Sequence, residues 1–162
     1  MQDEDGFAAF YERHRSTLHR AVTATLGDPQ LAAEAADEAL VRAAERWEQV
    51  SAMTRPEGWL YRVAVNWATS WRRKWGRRPT LPMETLDRPE SDRHVYELVD
   101  EVRRLPLQQR QMLVLRFVLA YSVAETAEAL GIAEGTVKSG VHRARQHLRT
   151  GRDDAEVLDG RG

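Results

Sequence analysis

Residues Ser122 to Arg149, SVAETAEALGIAEGTVKSGVHRARQHLR, decide what kind of protein this is. Ser122 and Glu125 stand three apart at the start of an apolar pattern. That is the spacing of a capping box, in which each side chain satisfies the other residue's backbone donor. Ala124, Ala127 and Leu130 follow as the inward residues of a short helix, and Gly131 supplies the left-handed backbone that ends it. Ile132 fills the turn. A second helix is expected from about Gly135 to Arg149, with Val137, Val141, Ala144 and Leu148 inward and Lys138, Ser139, His142, Arg143, Arg145 and Arg149 outward. Two short helices joined by a tight glycine turn, the second basic outside, make the pattern of a DNA-reading helix-turn-helix. An ordinary helical hairpin with a solvated basic face would give the same local pattern, so the rest of the chain has to arbitrate.

The second informative stretch is Trp59 to Arg73, WLYRVAVNWATSWRR. Of the 5 tryptophans in the chain, four lie between Trp59 and Trp75, interleaved with arginine. Rings that stack on bases beside guanidinium groups that meet phosphates suit single-stranded nucleic acid. Trp59, Trp67 and Trp71 read equally as core residues, and for Trp67 and Trp71 the core reading is the stronger. Asn66 shares a helical face with Arg62, Ser70 and Arg73, and an asparagine amid basic residues can hydrogen-bond a base edge. A solvent-facing asparagine is the alternative.

Working outward, the 162 residues hold one ordinary domain or two small ones. Ala, Leu, Glu, Arg and Gln dominate and no β-branched run alternates, so the fold class is all-α. There is no Cys, which removes disulfides and thiolate metal sites. No apolar run approaches the roughly 20 residues of a membrane span, and the acidic start Met1-Gln-Asp-Glu-Asp is unlike a signal peptide, so a soluble cytoplasmic protein is expected. The net charge of −1 conceals alternating blocks: −5 over residues 1–60, +6 over 61–80, −3 over 81–104, +3 over 105–150 and −2 over 151–162. A protein that merely coats nucleic acid would be basic throughout. Two basic islands in an acidic chain imply DNA contact in two places and a partner that brings the chain there.

The remaining pattern is helical. Phe7, Phe10, Tyr11, Leu18 and Val22 give one face of a helix from about Asp5 to Leu26, stopped by Gly27-Asp28-Pro29. Asp28 caps the next helix with Pro29 at its first position. That helix runs to about Trp47 with Leu31, Ala35, Ala36, Ala39, Leu40, Ala43 and Trp47 buried, and its alanines imply close helix approach. Glu34, Asp37, Glu38, Arg42, Glu45 and Arg46 face outward. Ser51–Pro56 is a loop, and a helix from Pro56 to about Trp75 places Leu60, Ala64, Trp67, Trp71 and Trp75 near one face. Residues 79–94, rich in proline and acids, read as a linker. Val95–Arg104 and Leu107 to about Leu119 are helical, and the tail 151–162 is polar and expected to fray. The expected organisation is therefore 1–78, linker 79–94, 95–150 and tail 151–162.

These stretches, in this order, resemble a bacterial sigma factor of the extracytoplasmic-function group, over nearly the whole chain. Trp59-Leu-Tyr-Arg-Val-Ala-Val-Asn66 is similar to the promoter-reading helix of sigma region 2, and Ala32–Glu38 leading to Trp47 is similar to the polymerase-docking helix. Leu105-Pro106, Arg110, Leu113, Leu115-Arg116, Glu125, Ala127, Leu130-Gly131, Gly135–Ser139 and His142–Arg145 are similar to region 4 almost throughout. The resemblance implies two helical lobes joined by a flexible linker, acting as a promoter-specificity subunit. It implies core RNA polymerase (β′ clamp helices and β flap), promoter DNA and an anti-sigma factor as partners, with no membrane insertion, no small-molecule substrate, no metal and no cofactor. By the same resemblance Glu34, Asp37, Glu38 and Arg42 dock polymerase. Asn66, Arg62, Arg72 and Arg73, with the Ser51–Pro56 loop, handle the −10 element and capture an unstacked base. Lys138, Ser139, His142 and Arg143 face the −35 bases or adjacent phosphates, and Arg145 and Arg149 meet phosphate.

Three positions depart from the family. Gly140 stands where Arg follows the Lys-Ser pair, which is expected to remove a basic contact and to weaken the helix by up to about 1 kcal/mol relative to Ala. Ala133 replaces a capping Ser, and Asp37 replaces Gln in the docking helix. No nucleophile–base pair, glycine-rich phosphate loop or metal motif occurs; none of the 5 histidines has a Glu three residues before it, as a di-metal bundle requires. A non-enzyme is expected. The rival reading is a helix-turn-helix repressor or activator whose N-terminal lobe dimerises or binds a ligand, against which the basic Trp-rich helix argues.

Overall fold

The computed structural model describes the backbone of residues 2–76 and 100–159 and the side chains of 5–76 and 100–149. The expected linker 79–94, the start of the Val95–Arg104 helix and Arg77-Arg78 lie outside them. Among the described residues every regular element is a helix, and the chain divides into two units, Met1–Pro82 and Met83–Gly162.

The first unit packs α1 (Gln2–Leu26), α2 (Pro29–Glu45) and α4 (Pro56–Trp75) against one another, with a short α3 (Trp47–Ser51) between the last two. Gly27, at φ +67, turns the chain out of α1. Asp28 caps α2 as its spacing predicts: its Oδ1 accepts from Leu31 N at 3.0 Å, with Pro29 in the first turn. Ala32, Ala35, Ala36, Ala39 and Ala43 are all buried along α2, so backbones rather than long side chains set the helix separation.

Two expectations change here. First, α2 stops at Glu45, because Arg46 leaves helical geometry (φ −117°, ψ 29°). Trp47 is therefore not the end of the α2 stripe. It opens α3 and packs edge-on against Phe7 (5.4 Å) and Phe10 (5.0 Å), while Val50 enters the core behind it. Ser51 belongs to α3, so the loop is shorter than expected. Second, α4 buries Leu60, Tyr61, Ala64, Val65 and Ala68; Trp67 and Trp71 are only half-buried, and Trp75 is 65% exposed. Indole rings do not fit where alanines hold the helices this close. Tyr61 takes the central place because α1 supplies a partner for its hydroxyl, Thr25 Oγ1 at 2.6 Å. Thr25 gives its own proton to the Ala21 carbonyl at 3.0 Å, so the phenol is the donor.

In the second unit a helical turn at 100–103 leads through Leu105 to α5 (Leu107–Leu113), a π-helical turn (Val114–Val118), α6 (Val123–Leu130) and α7 (Glu134–Asp159). The expected single helix Leu107–Leu119 is thus interrupted. The wider turn changes which residues face inward: Leu115 is fully buried, whereas Phe117 and Val118 are 52% and 43% exposed. Ala120, at φ +55, and the bond from Tyr121 N to the Leu115 carbonyl (2.8 Å) close this segment, and Arg116 donates to the Tyr121 carbonyl.

The capping box is present in full: Glu125 N donates to Ser122 Oγ at 3.0 Å and Ser122 N donates to Glu125 Oε2 at 2.7 Å. Gly131 is left-handed (φ 65°, ψ 38°), and Ile132 N reaches the Ala127 carbonyl. Of the three expected inward residues, Ala127 is buried, Leu130 is half-buried and Ala124 is exposed; Thr126 holds the inward position instead, its hydroxyl without a hydrogen-bond partner among the described residues. On α7, Val137 and Ala144 are fully buried and Val141 and Leu148 pack partly buried, the last three lying against Leu105 and Leu113 as one cluster. The helix runs ten residues past Arg149, to Asp159, where a frayed tail was expected; Gly151 does not interrupt it.

Gly140 also needs a different account. It is not on the basic face but buried, and a Cβ there would overlap the Sδ of Met112, itself 2% exposed. Met112 fills the space the missing side chain leaves.

Candidate nucleic-acid and polymerase interfaces

On α7 the outer arc carries Lys138, Ser139, His142, Arg143 and Arg149, all exposed. The Ser139 hydroxyl donates back to the Gly135 carbonyl (2.9 Å), which leaves its lone pairs to accept. Arg145 stands apart. Its guanidinium lies 4.9 Å from the ring centre of Phe117, and that of Arg116 lies 5.7 Å from the same ring. The π-helical turn that exposes Phe117 therefore gives Arg145 a cation–π partner. This contact was not visible in the sequence, because a continuous α-helix puts Phe117 at a different angle.

On α4, Arg62, Asn66, Ser70 and Arg73 form one exposed line, and Arg73 reaches Ser70 Oγ at 3.4 Å. The Asn66 side-chain amide makes no hydrogen bond among the described residues. Arg72 does not join this line. It is turned inward, donating to the Leu26 carbonyl at 3.1 Å and lying 4.0 Å from Asp28 Oδ2. It satisfies an orphan carbonyl at the end of α1 and faces the carboxylate that caps α2, so one side chain ties three helices together. At the other end of α4, Glu57 lies 3.9 Å from His14 Nδ1 of α1. Burial pulls the His14 pKa below its ordinary value of 6.5, Glu57 opposing and Arg13 reinforcing. The loop 52–55 just before α4 is largely exposed.

On α2, Asp37 is exposed, Glu34 and Glu38 are half-buried, and Arg42 Nε pairs with Glu38 Oε1 at 2.8 Å. Val41, 54% exposed, sits among them. It was a legible omission: an apolar residue four after Asp37 and three after Glu38 falls on the outer face. An acidic face with an apolar centre suits a basic protein surface, whereas the α4 and α7 faces suit phosphates and base edges. Among the described residues no group of three or more His, Cys, Asp or Glu could hold a metal ion, and no helix is long and apolar enough to cross a membrane.

Residues 10–78 match the family described as sigma-70 region 2, and residues 96–148 match sigma-70, region 4. The chain is 32% identical over 150 residues to the ECF RNA polymerase sigma factor SigM of Mycobacterium tuberculosis, covering 90% of this chain and 76% of that protein. It is 34% identical over 167 residues to the RNA polymerase sigma-E factor of Streptomyces coelicolor, covering 94% and 92%. In fold it is similar to the sigma factor RpoE of Bartonella quintana, solved in complex with the anti-sigma factor NepR, with a TM-score of 0.71 at 20% identity over 90% of this chain and 95% of that one. CnrH, solved with the cytosolic domain of CnrY, gives 0.70 at 19% identity over 93% and 90%.

Proposed function

We propose a mechanism from one premise: the chain belongs to the sigma-70 family, and within it to the ECF RNA polymerase sigma factors. Its function is to direct promoter-specific initiation of transcription. It does so without chemistry of its own, by docking on core RNA polymerase in the cytoplasm and reading DNA at two places. The acidic face of α2, with Asp37, Glu34 and the Glu38–Arg42 pair, meets the β′ clamp helices. The exposed apolar pair Phe117 and Val118 on the second unit suits the β flap. An anti-sigma factor acts as regulator by covering these faces.

On α4, Asn66 with Arg62 and Arg73 holds an unstacked non-template base of the −10 element, the loop 52–55 beside it. Melting exposes base edges that duplex DNA hides, and a protein amide can read them. On α7, Lys138, Ser139, His142 and Arg143 face the −35 major groove, and Arg149 meets phosphate. Arg72 is removed from the DNA-contacting set, because its guanidinium is occupied inside the first unit. Arg145 stays at the margin, shared between Phe117 and the backbone of the DNA. The observation that carries this reading is the Asn66 amide, without a hydrogen bond among the described residues and exposed between Arg62 and Arg73 on a helix tied to its neighbours through Tyr61 and Arg72.

The test is reconstitution with core RNA polymerase and templates from the source genome. Co-elution with core and initiation at discrete start sites are expected. A chain that neither co-elutes nor initiates, yet protects duplex DNA alone, would be a repressor or activator instead.

A further inference from the structure

Beside the outer stripe of α2 lies an open cleft of about 810 Å³ that no role above uses. Phe7 and Ala8 of α1, Ala44 and Glu45 at the end of α2, and Trp47 and Glu48 of α3 line it. It exists because α2 breaks at Arg46. The break swings Trp47 back against Phe7, and the two half-buried rings form an aromatic wall with Glu45 and Glu48 at the rim. Both glutamates are exposed, and neither makes an ion pair or side-chain hydrogen bond among the described residues.

We infer that this cleft receives a basic side chain, Arg or Lys, projecting from the same polymerase surface that docks on α2. Three observations lead there. An aromatic wall under two carboxylates complements a cation on a long aliphatic stem: the stem covers the rings, the charge meets the glutamates, and the ring faces add cation–π attraction. The cleft is continuous with the docking stripe. Glu34, Asp37, Glu38, Val41 and Glu45 fall within an arc of ~100° on α2, so Glu45 belongs to both. And Glu34 to Glu45 spans about 16 Å, three helical turns, so a partner helix laid along the stripe ends at the cleft. The inference rests on the reading of α2 as the polymerase-docking helix.

The test measures affinity for core RNA polymerase with the full-length protein. The double variant Glu45→Gln/Glu48→Gln neutralises the rim without touching the aromatic wall, and its melting temperature should match the wild type because both residues are exposed. At about 0.1 M salt its affinity should fall about tenfold, and the deficit should shrink as salt is raised, as expected for a lost charge contact. Asp37→Ala, on the stripe but away from the cleft, is the companion. If Asp37→Ala weakens binding while the rim variant binds like wild type, the cleft inference is overturned and the docking face stands. If neither variant weakens binding, the docking reading falls, and this inference with it.

Discussion

The two helices proposed to face DNA, α4 and α7, look alike in outline and are held in different ways. Both present polar and basic residues outward, and both bury a stripe of small and branched residues. On α4 the stripe is backed by polar fastenings to neighbouring helices, Tyr61 to Thr25 and Arg72 to Leu26 and Asp28, while Glu57 only approaches His14 at the first turn. On α7 the buried stripe is apolar, with Val137 and Ala144 fully buried and Gly140 closed over by Met112, and Arg145 adds its cation–π contact with Phe117. The capping box and the π-helical turn of the second unit come before this helix. A helix pinned by directional bonds has its rotation defined; one seated on an apolar seam has its depth defined. This suits the proposed roles, in which Asn66 aims at one base and α7 enters a groove.

The largest expected effect separates neighbouring arginines on α4. Arg72→Ala should lower the stability of the first unit by about 2–3 kcal/mol, because a charged hydrogen bond is lost and the buried Asp28 carboxylate loses its cation. Arg73→Ala should leave thermal melting unchanged and reduce the salt slope of promoter binding by about one. A Arg72→Ala protein that melts normally but binds DNA with a reduced slope would reverse the assignment. On α7, Arg143→Ala should weaken −35-dependent binding by about 2 kcal/mol with no change in melting; an unchanged footprint would make it a bystander.

A smaller effect probes the apolar seam. Gly140→Ala gains roughly 1 kcal/mol of helix propensity but forces Met112 to move, at a cost of about 1–3 kcal/mol, so a net loss of about 1 kcal/mol is expected. The cost should be relieved in a Met112→Leu background, read by denaturant midpoints; stabilisation by Gly140→Ala alone would mean that Met112 does not fill that space. The smallest effect concerns His14, which faces Glu57 at the first turn of α4. Because the folded His14 pKa lies below 6.5, the unfolded chain binds more protons as pH falls, and stability from this group is lost from about pH 6.5 downward. His14→Gln should flatten that acid limb in melting scans, and an unaltered limb would remove His14 from the account.

Much of this was legible in local chemistry. The capping box at Ser122 and Glu125, the left-handed Gly131, the Asp28 cap and the alanine stripe of α2 each depend on residues within one turn of one another, so spacing identified them. The basic faces were legible for the same reason. What spacing missed involved a second element. Arg72 and Arg73 are adjacent and chemically identical; only the carbonyl end of α1 and the buried Asp28 distinguish them. Trp47 read as α2 core because nothing in its neighbours announces the break at Arg46.

By itself, then, the sequence determined the helical class, the order of the main helices and several of the caps that start and stop them, because these follow from local periodicity and hydrogen-bonding chemistry; the family was legible separately, through the resemblance of its motifs. Tertiary structure alone decided which basic side chains are taken up inside each unit. It turned Arg72 inward, gave Arg145 the ring of Phe117, and buried Gly140 under Met112. A helix's own period says which residues share a face, but which neighbour that face meets, and which groups the neighbour leaves unsatisfied, is settled only when helices distant in sequence pack together.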